Sequence, residues 1–147
     1  MGIVILFALL SPSLYAHCEV PCGIYNDNMR FAMIAEHIET ITKAMEEIAL
    51  ISKGSPQNIN QLVRWIMNKE KHAEEIQHII SQYFLTQRIK TPDFEDKEAT
   101  ERYFKKITLC HEILVWAMKT KQTIDPESVK ILSSKVDAFR DVYFPPK

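Results

Sequence analysis

Apolar residues recur at alternating steps of three and four in four stretches of the chain. In the first, from about Asp27 to Ile51, they are Phe31, Ile34, Ile38, Ile41, Met45 and Ile48. That rhythm lays one apolar stripe along an α-helix and would scatter the same residues over both faces of a strand. Ser52-Lys53-Gly54 closes this helix. Ser55-Pro56 reads as an N-cap followed by proline at the first helical position. It opens a second stripe of Ile59, Leu62, Ile66, Ala73, Ile76, Ile80 and Tyr83, broken only at Lys69 and fading near Ile89. Thr91-Pro92 and Asp96 are candidate starts for a third helix, which runs to about Lys121 and is predicted to bury Tyr103, Ile107, Cys110, Leu114 and Ala117. Asp125-Pro126 repeats the cap-plus-proline signal, and Val129, Leu132, Val136, Phe139 and Tyr143 follow. Phe144 to Lys147 form a tail. Four amphipathic helices with short connections predict an all-α fold, an antiparallel up-down-up-down four-helix bundle. Trp65, Ile79 and Leu85 lie off the stripes and are expected to add to core packing.

The residues before the first helix do not share this rhythm. Ile3 to Leu10 form a continuous apolar run, too short to span a membrane, followed by Ser11-Pro12-Ser13 and Leu14-Tyr15-Ala16. This resembles the apolar and cleavage regions of a signal peptide, although no Lys or Arg precedes the run and Leu14 is large for its position. Met1 to Ala16 are therefore expected to be a removable leader, and residues 17–147 a single domain without a membrane segment. The destination is extracytoplasmic or an organelle lumen if the leader directs export. It is cytoplasmic if the leader serves maturation alone.

Composition changes this picture little. The 147 residues suit one domain, and a formal net charge of −1 gives no reason to expect nucleic acid or an anionic membrane as partner. Only 3 glycines are present, which favours helices. The 3 cysteines are an odd number, two close together and Cys110 far away, which is not the disulfide framework of a small secreted domain.

The candidate chemistry is concentrated in His17-Cys18-Glu19-Val20-Pro21-Cys22-Gly23-Ile24-Tyr25. Cleavage after Ala16 would make His17 the N-terminus. Its amine and the Cys18 amide nitrogen then close a five-membered chelate ring, and that nitrogen closes another with the Cys18 thiolate. Cys22 returns a second thiolate across the bend at Pro21. Two nitrogens and two sulfurs in one plane favour Ni(II) or Cu(II) over tetrahedral zinc, and the His17 imidazole is tethered where it can bind axially. Strong donation by an amidate and two thiolates opens a higher oxidation state. A metal cycling by one electron on an exposed chain end can both oxidise and reduce a small radical. A disulfide between Cys18 and Cys22 would close only a tiny loop, and a zinc site needs a second pair of ligands.

The sequence His-Cys-x-x-Pro-Cys-Gly-x-Tyr behind a leader resembles the metal hook of the nickel superoxide dismutase family. The resemblance implies one nickel ion per subunit, held by His17 through amine and imidazole, by Cys18 through amide and thiolate, and by Cys22 through its thiolate. It implies dismutation of superoxide through Ni(II)/Ni(III) cycling. Tyr25 would stand over the open face, steering substrate and ordering water for proton delivery. Tyr83 matches a family tyrosine that bonds to the hook tyrosine. A homohexamer of four-helix bundles and a leader-processing protease are implied as partners. The pattern departs from better-known members beyond the hook. A glutamate and an arginine that anchor the imidazole there fall nearest to Met33 or Ile34 and to Asn68, with Glu36, Arg64 and Lys69 nearby, and a lysine after the second tyrosine is Leu85.

Other reactive side chains read as structural. Cys110 lies on a helix stripe as a buried thiol, and His37, His72 and His111 are surface or packing residues. Glu75-Ile76-Gln77-His78 has the step of a di-iron bundle, but no second such step accompanies it. Arg30 is the cation nearest the hook that could help capture an anionic substrate. The alternatives to a dismutase are a non-catalytic bundle whose hook stores or delivers nickel or copper, and a disulfide-bearing interaction bundle.

Overall fold

A computed structural model describes residues 23–54 and 58–145. Its helices are α1 (Asp27–Lys53), α2 (Ile59–His78), α3 (Lys97–Gln122) and α4 (Pro126–Tyr143). α2 continues without interruption into a π-helical segment, Ile79–Arg88. Each of α1 and α3 packs against both α2 and α4, which closes the four helices into the expected antiparallel bundle. No strand occurs among the described residues, and no helix among them is long and apolar enough to cross a membrane.

Side-chain caps set the helix starts. Asn26, Asn58, Asp96 and Asp125 each accept a backbone N–H of the first turn, satisfying donors that the helix itself leaves free. Asp96 is thus the start of α3, and Pro126 takes the first position of α4. The start of α2 differs from expectation. It begins at Ile59 with Asn58 as cap, and the Ser55-Pro56 signal lies outside the described residues.

The core follows the stripes of α1 and α4 closely, with Ile34, Ile41, Leu132 and Phe139 fully buried. Two stripes are displaced. On α3 the buried line is Leu109, Cys110, Ile113, Ala117 and Thr120, while Tyr103, Ile107 and Leu114 are half-buried. Thr120 hides this line in the sequence, because its hydroxyl is satisfied locally by donating to the Ala117 carbonyl at 2.7 Å. On α2, Ile59 and Ile66 are exposed and Lys69, the break in the stripe, is buried at 3% exposure. The Lys69 ammonium donates to the carbonyls of Thr120, Lys121 and Thr123 at 2.7, 2.6 and 3.0 Å. Lys69 therefore ends α3, and the turns of α2 before it reach past the end of that helix, where no third helix covers them. Of the off-stripe residues, Ile79 is buried and Leu85 packs on the core. Trp65 instead lines an open groove between α1 and α2 with Glu39, Lys43 and Arg64.

Candidate metal centre and the residues beside it

His17, Cys18 and Cys22 lie outside the described residues, as does the leader. The description begins at Gly23, where φ is +72°. Glycine adopts this left-handed turn without the steric cost any other residue incurs, and it precedes the start of α1 by four residues. Ile24 is exposed, Tyr25 is 38% exposed, and Asn26 and Asp27 begin α1.

Asp27 is the hub of this end. Its Oδ1 accepts the Tyr83 hydroxyl at 2.6 Å and Arg88 Nε at 2.8 Å; its Oδ2 accepts Arg88 Nη2 at 2.7 Å and the Tyr143 hydroxyl at 2.9 Å. Three elements thus converge on one carboxylate: the start of α1, the π-helical segment and the end of α4. The Arg88 guanidinium lies 4.4 Å from the centroid of the Tyr25 ring. The Tyr83 ring meets Tyr25 edge-on, with centroids 6.0 Å apart. The contact of Tyr83 with Tyr25 is thus ring to ring, and its hydroxyl serves Asp27. The Arg30 guanidinium covers the Tyr83 ring at 4.8 Å.

The π-helix makes this convergence possible. Tyr83 and Arg88 are five residues apart, which on an α-helix of 3.6 residues per turn would turn them away from each other. Hydrogen bonding from i to i+5 brings them onto one face. The wider turn is visible in Ile89 N to the Phe84 carbonyl at 2.8 Å, and in side-chain bonds from Thr86 to the Ser81 carbonyl and from Gln87 to the Gln82 carbonyl. Beneath the hub, Phe31, Phe84 and Phe139 form an aromatic plug with centroids 4.9 to 5.4 Å apart.

The charges of the hub reinforce one another. The bond from Arg88 holds the Asp27 carboxyl below its ordinary value of 3.8, against the opposing effect of burial and with help from both phenols. Burial, and then the bond to Asp27, raises Tyr83 and Tyr143 to about 12 each. Arg88 is raised, first by Asp27. At neutral pH the hub is one carboxylate, one guanidinium and two protonated phenols, none of which exchanges a proton in that range.

The remaining candidates fall elsewhere. Cys110 is fully buried, and burial raises its thiol to about 12, so it stays protonated and offers no donor to a metal. His37 and His72 face each other across α1 and α2 with Nδ1 atoms 2.8 Å apart, and burial lowers His37. His111 and His78 are exposed, with Glu75 half-buried. Among the described residues no group of three or more His, Cys, Asp or Glu could hold a metal ion. Of the positions near the family's imidazole anchors, Ile34 is buried and Met33 receives Arg30 Nη1 on its sulfur at 3.5 Å. Lys69 is committed to α3, Asn68 and Arg64 line the outer groove, and Glu36 is exposed.

Sequence reasoning missed Asp27, Arg88 and Tyr143 as site residues. Asp27 looked like part of a helix start, and Arg88 lies 61 residues away from it. No local signal marked Asp27, because a carboxylate in the first turn of a helix is ordinary.

The described residues thus form a helical bundle with phenols gathered around a carboxylate–guanidinium pair at the end where α1 begins. The family model described as nickel-containing superoxide dismutase matches residues 12–147. The chain belongs to that family: it is a nickel-dependent superoxide dismutase, an oxidoreductase whose cofactor is nickel. Neither the curated proteins nor the solved structures give a match to it.

Proposed function

We propose that the mature protein begins at His17 and holds one nickel ion through the His17 amine and imidazole, the Cys18 amide and thiolate, and the Cys22 thiolate. The donor set fits the group: two nitrogens and two thiolates would suit a d8 ion, and the one other thiol, Cys110, is sealed in the core. When bound, nickel supplies a one-electron couple, Ni(II)/Ni(III), by which two superoxide anions and two protons become dioxygen and hydrogen peroxide. Tyr25 steers superoxide and orders the water that delivers protons. Tyr83 acts through its ring edge on Tyr25 and its hydroxyl on Asp27. The observation that carries this reading is the placement of Tyr25, three residues past Cys22, against Arg88 and Tyr83 at the end of the bundle.

Maturation is part of the reading. With Met1 to Ala16 attached, His17 has no free amine, so a protease must remove the leader before the donor set is complete. Assembly into a homohexamer is what the family resemblance implies, and the exposed apolar side chains Ile59, Val63 and Met67 on α2 would suit a contact between subunits.

Protein beginning at His17, loaded with nickel, is expected to consume superoxide and to give a Ni(III) paramagnetic signal split by an axial nitrogen. An Ala16 substitution that blocks cleavage is expected to leave a folded, inactive bundle. Acidification is expected to release nickel, because the thiolates must be deprotonated to bind. Tight nickel binding without dismutation would instead support a storage or delivery protein.

A further inference from the structure

We infer that Asp27 and Arg88 are a positioning pair for Tyr25: Arg88, locked onto Asp27, fixes the Tyr25 ring at the end of the bundle where α1 begins. This rests on the proposed placement of Tyr25 over the open face of the nickel.

Four observations carry it. Arg88 meets both oxygens of Asp27 through two N–H groups, at 2.8 and 2.7 Å. Such a two-pronged bond sets the plane of the guanidinium as well as its distance. The guanidinium carbon lies over the Tyr25 ring, 4.4 Å from its centroid, where the positive charge is attracted to the ring face. The phenols of Tyr83 and Tyr143 occupy further lone pairs of Asp27, so the carboxylate has no alternative rotamer that keeps its bonds. Finally, α1 does not need Asp27 as a cap, because Asn26 already accepts the Met29 N–H at 3.0 Å. A half-buried carboxylate carrying four hydrogen bonds two residues after Tyr25 is therefore accounted for by what it holds. Tyr25 is fixed twice, through the backbone it shares with Asp27 and through its ring by Arg88.

The pair acts through Tyr25, so its removal should displace that ring before it disturbs the fold. Protein beginning at His17 is prepared with ring-labelled tyrosine, as wild type and as Arg88→Lys, Asp27→Asn and Tyr25→Ala, the last assigning the Tyr25 resonance. In metal-free wild-type protein the Tyr25 resonance should be displaced from that of free tyrosine. In Arg88→Lys it should move toward the free value, while Tyr83 and Tyr143 keep theirs. Arg88→Lys retains the charge, so loss of attraction for superoxide does not explain a change. In the nickel-loaded protein this variant should lose about tenfold or more in kcat/KM, the scale of a misplaced catalytic group. Arg88→Lys should cost nothing further in a Tyr25→Ala background. Asp27→Asn keeps one acceptor oxygen and puts a donor NH2 in place of the other, which breaks the two-pronged bond to Arg88 and one phenol bond, and it should reproduce the Tyr25 shift. An unmoved Tyr25 resonance in both variants, or additive losses with Tyr25→Ala, would overturn the inference. Wild-type protein that binds nickel yet consumes no superoxide would instead overturn the functional reading, while the metal-free resonances would still test the pair.

Discussion

The two ends of the bundle are each organised around one ion, of opposite sign, and use it differently. At the far end Lys69 is 3% exposed, and its three N–H groups meet three backbone carbonyls of the last turn of α3 and just beyond. Three acceptors for three donors suit an ammonium, even though burial lowers this lysine from its ordinary value. The ammonium bonds only to backbone, and its effect is on where a helix stops. At the hook end Asp27 is half-buried and bonded only to side chains: a guanidinium and two phenols. Side chains can pass a constraint outward, and Arg88 passes it to Tyr25. An ion spent on backbone stabilises the fold; an ion spent on side chains sets the position of something beyond itself.

The sharpest way to break this comparison is to remove Lys69. Lys69→Met keeps the unbranched apolar stem, removes the ammonium and strands three carbonyls. It should cost about 2–4 kcal/mol, the range for losing charge-assisted bonds at a buried site. Urea unfolding of the metal-free protein measures this. The nickel-loaded variant should dismute superoxide at the wild-type rate per folded molecule below its unfolding temperature. A variant that stays as stable as wild type, or that loses activity while folded, would erase the distinction between the two ends.

What the sequence disclosed divides along the same line. The hook can be proposed from sequence because its chemistry would be local: chelate rings depend on covalent spacing, and His17, Cys18 and Cys22 lie within one short segment, outside the described residues. The stripes of α1 and α4 are readable because burial on one face imposes a period. Lys69 was visible only as an interruption, since its acceptors lie more than 50 residues on, from Thr120 to Thr123. The Asp27 hub was hidden twice over. Its partners come from two distant elements, and Tyr83 shares a face with Arg88 only because the backbone widens to a π-helix over Ile79–Arg88, a change that hydrophobic periodicity does not announce. Ser55-Pro56 is a persuasive local start signal, but Asn58 is the side chain that caps Ile59 onward.

The next effect concerns acid and base at the hook end. Asp27 has a folded value below 3.8, so the stability it contributes is fully present above about that pH and is lost as pH falls through the lower folded value. Asp27→Asn should therefore be less stable than wild type at neutral pH by about 1–3 kcal/mol, the worth of hydrogen bonds to a charged group. The gap should close below pH 3.8 in urea titrations of metal-free protein. The phenols work in the opposite direction. Tyr83 and Tyr143 sit near 12 in the folded protein against an ordinary 10.0, so their contribution holds below 10.0 and declines as pH rises toward 12. An ultraviolet titration of tyrosinate should show two phenols ionising late, and Asp27→Asn should bring both down. A constant gap between variant and wild type across the acid range would mean that the carboxylate charge does not hold this end together.

The smallest effect follows from which charges an incoming anion can meet. Arg88, Lys90, Arg102 and Lys106 line one cleft at the hook end, and Lys106 approaches the Tyr143 ring at 5.2 Å. The chain as a whole carries a formal charge of −1, so attraction of superoxide depends on local placement rather than net charge. Lys90 and Lys53 are both exposed lysines at opposite ends of the bundle, which makes Lys90→Glu and Lys53→Glu a matched pair with the same change in net charge. Lys90→Glu should lower kcat/KM by about two- to fivefold at low salt and flatten its fall with ionic strength, as screening removes what the substitution has already cancelled. Lys53→Glu should leave both nearly as they are. Equal losses from the two would show that superoxide responds to the charge of the whole molecule, and the contrast between the ends would then be one of stability alone.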